Sequence, residues 1–241
     1  MKQFEALPEY LQTPQVKEYY DHLASRKWQL YVKRAFDLIV SLVLLVLLSP
    51  LFAVLMIWIK LDSPGPIFYR QERVTTYGRT FRIFKFRTMV VDADKQGSLV
   101  TLKGDDRITR VGHVIRNYRL DEVPQLLNIF MGDMSLVGTR PEVRKYVDAY
   151  TDEMNATLLL PAGVTSKASI LFKDEEEIIE KFILEGMTVD EIYVEKVLPE
   201  KMKYNLKYLR EFSFMQDIKL LILTVVKVFK WGDSPYIRTT S

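Results

Sequence analysis

The sequence predicts an α+β, mostly helical fold held at a membrane by one broken apolar helix. Three observations carry this. Leu38–Ile59, LIVSLVLLVLLSPLFAVLMIWI, runs 22 residues without a charge and has Ser49-Pro50 at its centre. Two short stretches after it, bounded by turn residues, have the make-up of strands. Most of the remainder places apolar residues at helical spacing behind capping signals. The expected parts are an N-terminal amphipathic helical segment over 1–32, a helix–break–helix over 33–61, and a larger domain over 62–241. That domain holds a small β-hairpin and ends in an amphipathic helix at 213–231.

In order, residues 1–12 look irregular. Thr13-Pro14 supplies an N-cap and a proline at the first helical position, and Val16, Tyr19, Tyr20 and Leu23 come after it at helical spacing. Trp28 and Tyr31 before Lys33-Arg34 put aromatics and cations where a membrane–water interface would be; an ordinary amphipathic helix fits equally well. As one helix, Leu38–Ile59 would be about 33 Å long, close to the ~30 Å of a bilayer's hydrocarbon core. Pro50 lacks an amide hydrogen and its ring crowds the Val46 carbonyl, to which the Ser49 hydroxyl can bond back. Lys33 and Arg34 before the run and Lys60 after it suit a hairpin whose ends return to one side. The residues alone leave spanning and re-entrant topologies open.

Asp62–Ile67, DSPGPI, ends the helix. Ile67–Val74 and Thr80–Thr88 read as strands joined by a turn at Tyr77-Gly78, the second carrying Arg82, Lys85 and Arg87 among aromatics as a candidate cationic face. Residues 92–106 read as a loop, with Asp105-Asp106 as turn chemistry. Pro161–Gly163 is a turn, and Val164–Leu171 reads as a strand. Helices are expected at Asp174–Gly186, capped by Asp174 to Glu177, after a second box from Thr188 to Glu191, and at Pro199–Glu211. The last opens with the box Ser213 to Gln216. Its uncharged run Leu220–Val226 is too short to span, so it lies in the interface with lysines snorkelling or packs on the core.

Composition narrows the chemistry. With 241 residues, 48% hydrophobic and 27% charged, the chain is long enough for one large domain or two small ones. A formal charge of +3 does not argue for nucleic acid, although 34 Lys and Arg leave room for local basic patches. The absence of cysteine excludes disulfides and thiolate metal sites, and two histidines, His22 and His113, exclude a histidine-rich one. The apolar run starts too late and runs too long for a signal peptide.

The densest segment is Val111–Val143. Asp121-Glu122 precedes the helical pattern Val123, Leu126, Leu127, Phe130, with Pro124 in its first turn. The acids thus sit at a helix start, where free amides and the dipole favour anions. Arg116 and Arg119 lie just upstream, and Arg140 comes after a short strand at Leu136–Val137. A carboxylate can attack phosphorus to give an acyl phosphate, provided cations neutralise the phosphate oxygens. Arginine's bidentate fork and a carboxylate-held Mg²⁺ suit that task. Neighbours on a helix point ~100° apart, so one acid as nucleophile and one as metal ligand is a division the geometry allows. The plainer reading, Asp121 as a cap with the arginines as its ion pairs, stays open. No Walker loop, G-x-G-x-x-G, Ser-His-Asp order or H-E-x-x-H appears.

KRAFDLIVSLVLLVLLSPLF, DSPGPIFYRQERVTTYGRTFRIFKFRTM and RLDEVPQLLNIFMGDMSLVGTRPEV, in that order, resemble the bacterial sugar transferase family of monotopic polyprenyl-phosphate phosphoglycosyl transferases, in the compact form without the long N-terminal membrane domain. The resemblance is strong over roughly 33–147 and extends through DIKLLILTVVKVF. It implies transfer of a phosphosugar from a UDP-sugar to polyprenol (undecaprenyl) phosphate with release of UMP. The reaction would be ping-pong, through an aspartyl-phosphosugar intermediate, with Mg²⁺ as cofactor. Such a step initiates lipid-linked glycan assembly. It further implies Asp121 as nucleophile and Glu122 as metal-binding partner. Arg116 and Arg140 would contact phosphates, with Lys85 and Arg87 as weaker candidates. The membrane helix would be re-entrant, broken at Ser49-Pro50, so that the catalytic domain faces the cytoplasm from the bacterial inner membrane. Membrane lipid is then a further partner, a homodimer is compatible with it, and nucleic acid is not expected. Thr139-Arg140-Pro141 departs from the common Pro-Arg-Pro, and PAGVTSKASILFKDEEE departs from a Pro-Gly-Ile-Thr-Gly-Trp-like stretch, which leaves the donor sugar unread. Two other classes fit the residues: a non-catalytic module binding anionic lipid or a partner, and a membrane-anchored Mg²⁺-dependent phosphohydrolase.

Overall fold

In the computed structural model, which describes residues 1–93, 105–172 and 175–231, two 3₁₀ turns (Phe4–Ala6 and Glu9–Leu11) lead into helix α1, Pro14–Ala24. Thr13 caps it as expected, its Oγ1 accepting from Val16 N at 3.3 Å. Leu7, Leu11, Val16, Tyr19, Tyr20 and Leu23 are buried in the main core. The apolar face of this helix therefore meets protein, while Trp28 and Tyr31, on the next helix, are 66% and 70% exposed.

Helix α2 (Lys27–Leu47) and helix α3 (Ser49–Asp62) meet at Leu48 with a bend of 62°. The break is the expected one: Ser49 Oγ donates to Val46 O at 2.8 Å, satisfying the carbonyl that Pro50 strands. Among the described residues no single helix is long and apolar enough to cross a membrane, while the bent pair together is. Because α2 starts at Lys27, one helix carries both the aromatic–cationic segment and the first half of the apolar run.

The flanking cations are placed differently from the sequence reading. Lys33 is 5% exposed and pairs with Asp217 at 2.6 Å. Arg34 donates to the Ile129 and Phe130 carbonyls at 2.6 and 3.0 Å. Lys60 donates to Gly65 O at 2.7 Å. Of the three, only Lys33 is withdrawn from solvent; Lys60 stays exposed beside the end of the apolar run.

Strands β1 (Phe68–Val74) and β2 (Thr80–Phe86) form an antiparallel hairpin, Phe68 facing Phe86 and Val74 facing Thr80. Its turn uses left-handed backbone at Tyr77 and Gly78, φ 57° and 75°. Alternation sends Phe81, Ile83 and Lys85 to one face and Arg82, Phe84 and Phe86 to the other. The expected cationic face thus does not form, because its cations are split between two sides.

Helix α4 (Arg110–Asn117) leads to a 3₁₀ turn, Leu120–Glu122, and helix α5 (Gln125–Met131). The acidic pair therefore lies in a tight turn one step before α5, not in its first turn. Strand β3 (Met134–Val137) pairs in parallel with strand β4 (Ala162–Thr165), with helix α6 (Arg144–Val147) between them. Only the first residues of the expected Val164–Leu171 strand are extended; Lys167–Leu171 is helix α7. Ser166 ends the strand by exchanging hydrogen bonds with Ser169 in a capping box.

Helix α8 (Glu175–Leu184) matches its expected segment, while the cap at Asp174 lies outside the described residues. Thr188 and Glu191 form the expected box at helix α9 (Val189–Ile192). A π-helical stretch, Tyr193–Val197, then leads into helix α10, Leu198–Arg210. In helix α11 (Phe214–Trp231) half of the expected box forms: Gln216 N donates to Ser213 Oγ, while the Gln216 side chain reaches Glu211. Asp105 is turn chemistry as expected, bound to Arg107 at 2.6 Å, and most of the 92–106 loop lies outside the described residues.

Candidate active site

The acidic pair is set where three elements meet. The Leu120–Glu122 turn is pinned by Val123 N donating to Leu120 O, and Arg119 before it adopts left-handed backbone, φ 57°. Such backbone in a non-glycine residue costs about 1–3 kcal/mol and recurs at functional sites. The turn packs against β2, which brings Lys85 over both acids: its Nζ lies 3.3 Å from Glu122 Oε1 and 3.9 Å from Asp121 Oδ2. From the loop after β3, Arg140 reaches Glu122 with both Nη atoms, one of them in a short contact.

The two acids differ electrically. Burial alone would raise Glu122, but the Arg140 guanidinium and then the Lys85 ammonium hold it well below the usual carboxylate range. Asp121 is shifted upward, chiefly by burial and further by the Glu122 charge, against the opposing pull of Lys85. Burial lowers Lys85, whereas the Glu122 carboxylate raises Arg140. A charged Glu122 clamped by two cations thus sits beside a more basic Asp121 that meets Lys85 at the edge of contact. The backbone rules out Asp121 as the cap of α5, whose N-cap position is Pro124.

Arg116 sends Nε to Thr88 Oγ1 at 2.9 Å, and burial lowers it while the Asp121 carboxylate pulls the other way. It lies at the end of α4, within reach of the Asp121 charge. Arg87 is elsewhere: its guanidinium donates to Ser63 O, Ser63 Oγ and Pro64 O at 2.7–2.8 Å. It fastens the loop after α3 to the end of β2, so the structure gives it a scaffold role in place of an anion contact. Lys85, two residues earlier and within β2, is brought to the site.

Several residues without a sequence signal complete the surroundings. Arg73 on β1 donates to Pro141 O at 3.2 Å and lies 4.0 Å from Glu142. Glu142 in turn accepts from the Tyr193 hydroxyl at 2.6 Å. The one hint of Arg73 is its place at the end of a strand whose partner carries Lys85, but pairing register is needed to see it.

Among the described residues no group of three or more carboxylate or imidazole side chains gathers as a metal cage. Asp121 and Glu122 offer two carboxylates, a donor set that fits Mg²⁺ sharing its shell with substrate phosphates and water.

Comparison with known proteins places the chain in a family. The family described as "Bacterial sugar transferase" matches residues 28–231. A UDP-N-acetylgalactosamine-undecaprenyl-phosphate N-acetylgalactosaminephosphotransferase of Aeromonas hydrophila is 32% identical over 198 residues, 81% of this chain and 43% of that protein. The UDP-glucose:undecaprenyl-phosphate glucose-1-phosphate transferase of Escherichia coli is 33% identical over 203 residues, 82% of this chain and 40% of that protein. An uncharacterised sugar transferase of Bacillus subtilis is 34% identical over 197 residues and is matched over 87% of its length. The chain spans less than half the length of the first two. A match over 28–231, containing the bent helix pair, the acidic turn and Arg140, means that the chain belongs to the bacterial sugar transferase family.

Proposed function

We propose that this chain is an enzyme that transfers a phosphosugar from a UDP-sugar to polyprenol phosphate and releases UMP. The observation that carries the reading is the division of labour in the acidic pair. Glu122 is held charged by Arg140 and Lys85, while Asp121 is buried, more basic and less tightly paired. The Aeromonas and Escherichia relatives are named for UDP-sugars and undecaprenyl phosphate, and that chemistry is carried over here as part of the proposal.

In this reading Asp121 attacks the phosphorus that bears the sugar, forming an aspartyl-phosphosugar as the bond to UMP breaks. The polyprenol phosphate oxygen then attacks the same phosphorus, giving a polyprenyl diphosphosugar and restoring the Asp121 carboxylate. Arg140 and Lys85 stand where they can neutralise the phosphate oxygens that would otherwise repel an attacking anion. Arg116 lies within reach of the Asp121 charge. Glu122, with Asp121 beside it, would hold Mg²⁺, which when bound supplies further neutralisation of the diphosphate.

The membrane is the second part of the proposal. Ile39, Leu42, Val43, Val46 and Leu47 on α2 and Val54, Ile57 and Leu61 on α3 are 49–81% exposed. Met215, Ile222, Leu223 and Val225 on α11 extend this surface. So large an apolar exposure suits lipid. Lys33 and Asp37 dock the start of α2 on β3 and α11, while Leu55 and Ile59 dock the end of α3 on β2 and α4. Both arms are thus fastened to one folded body, which supports a re-entrant hairpin at the cytoplasmic face of the bacterial inner membrane.

The test is Asp121→Asn, assayed with a panel of UDP-sugars and undecaprenyl phosphate in nanodiscs. The expected result is loss of UMP release and of the covalent adduct, with the fold intact. Unchanged turnover in that variant would sink the mechanism. Without acceptor, the native enzyme should release one equivalent of UMP and stop; a phosphohydrolase would continue.

A further inference from the structure

The loop that presents Arg140 is pinned from several sides. Gly138 N donates to Thr165 O at 3.0 Å and Gly163 N to Thr139 O at 2.8 Å. The two strands approach so closely here that a Cβ on Gly163 would lie 2.1 Å from Gly138 N. At the other end, Val74 N donates to Glu142 O at 2.9 Å and Arg73 to Pro141 O at 3.2 Å. These contacts hold backbone.

The last pin is a side chain, and it comes from the C-terminal layer. Glu142, 9% exposed, accepts from the hydroxyl of Tyr193, 4% exposed, at 2.6 Å. Tyr193 is itself fixed by two neighbours. Its ring lies 4.4 Å from that of Tyr146, the Lys201 ammonium sits 4.8 Å over it, and Lys201 also donates to its hydroxyl at 3.3 Å. Lys201 continues to Glu175 at 2.7 Å. Tyr193 opens the π-helical stretch Tyr193–Val197, a local irregularity often found at functional sites. A hydrogen bond from a buried hydroxyl to a carboxylate is among the stronger kinds, and removing one partner leaves the other unsatisfied.

We propose that Glu142 and Tyr193 are positioning residues for the reaction: their hydrogen bond couples the α8–α10 layer to the Arg140 loop and keeps Arg140 in register with Glu122. The proposal rests on the transferase reading, and it names a route by which the C-terminal layer, whose described residues make no hydrogen bond or ion pair to either acid, sets the geometry of the catalytic cations.

The experiment compares native protein, Tyr193→Phe, Glu142→Gln and Glu142→Ala by UMP release and by amide hydrogen exchange. Tyr193→Phe keeps the ring packing and loses only the hydroxyl. It should lower kcat/KM about 10-fold, roughly the factor that 1.4 kcal/mol represents, and speed exchange at the Val74 and Gly163 amides. Exchange within α4 should stay unchanged. Glu142→Gln still accepts from Tyr193 and should keep more activity than Glu142→Ala, which decides the matter if Tyr193→Phe folds poorly. In an Arg140→Lys background the further effect of Tyr193→Phe should shrink below about twofold, since residues acting through one another are non-additive. The proposal is overturned by unchanged loop exchange, or by a fall in kcat/KM that is equally large in the Arg140→Lys background. If the native protein releases no UMP from any UDP-sugar, the transferase reading fails, and the exchange result alone decides the positioning.

Discussion

The two arms of the bent helix pair are attached to the same body by different physics. Helix α2 is held by buried polar groups. Lys33 pairs with Asp217 and donates to Val137 O at 2.8 Å, Asp217 accepts from Tyr208 at 2.7 Å, and Asp37 accepts from Ser135 Oγ and Leu136 N at 2.6 and 3.1 Å. Helix α3 is held mainly by apolar packing: Leu55 and Ile59 are buried with Phe86, Val111 and Ile115. A polar anchor is directional and fixes both rotation and register. It is also brittle, because a lost partner strands a buried charge. An apolar anchor is graded and tolerates adjustment. The arm seated on β3 is therefore rigidly indexed, while the arm that runs into the Ser63–Pro64 loop is seated by area.

The contrast can be broken in three places. The largest effect is expected from Lys33→Ala, which leaves Asp217 buried without its cation and should destabilise by about 3–5 kcal/mol. Denaturant unfolding in detergent measures it. Replacing both partners by Met should recover most of that loss; if it does not, the anchor is more than a charge pair. Next is Ile59→Ala, expected to lose about 2–4 kcal/mol by transfer and cavity terms, with UMP release falling less than in Lys33→Ala because the register set by α2 survives.

The smallest effect is expected from Ser49→Ala with Pro50→Ala. An unbroken helix gains about 3 kcal/mol at the former proline and loses a hydrogen bond of about 1 kcal/mol. The two anchors together exceed that net gain. The chain has no cysteine, so Lys27→Cys and Pro66→Cys report topology cleanly. Both should react from the cytoplasmic side with and without the alanines. Protection of position 27 in the alanine variant would mean that the break, and not the anchors, sets the topology.

The legible part of the site is the part contiguous in the chain. Asp121-Glu122, Arg116 and Arg140 fall within one motif-dense stretch, and Lys85 lies in a second. Arg87 misleads because a cation two residues along the chain from Lys85 looks equivalent to it, until the loop at Ser63 comes back to claim it. Lys33 misleads for a similar reason. A lysine beside an apolar run has the same local appearance whether it faces headgroups or an aspartate 184 positions away. Arg73, Glu142 and Tyr193 have no local signature at all.

By itself, the sequence determined the features that depend on short-range covalent chemistry. Pro50 has no amide hydrogen, so the apolar helix breaks there. Thr13 and Thr188 carry oxygens at cap spacing, so helices begin there, whereas composition would run a strand through Ser166 to Leu171, where the structure starts helix α7. Only the tertiary structure decided which charges meet. Partners such as Lys33 and Asp217, Arg140 and Glu122, or Glu142 and Tyr193 are chosen by burial, where an unpaired charge is too unfavourable to leave. Burial exists only once distant segments pack.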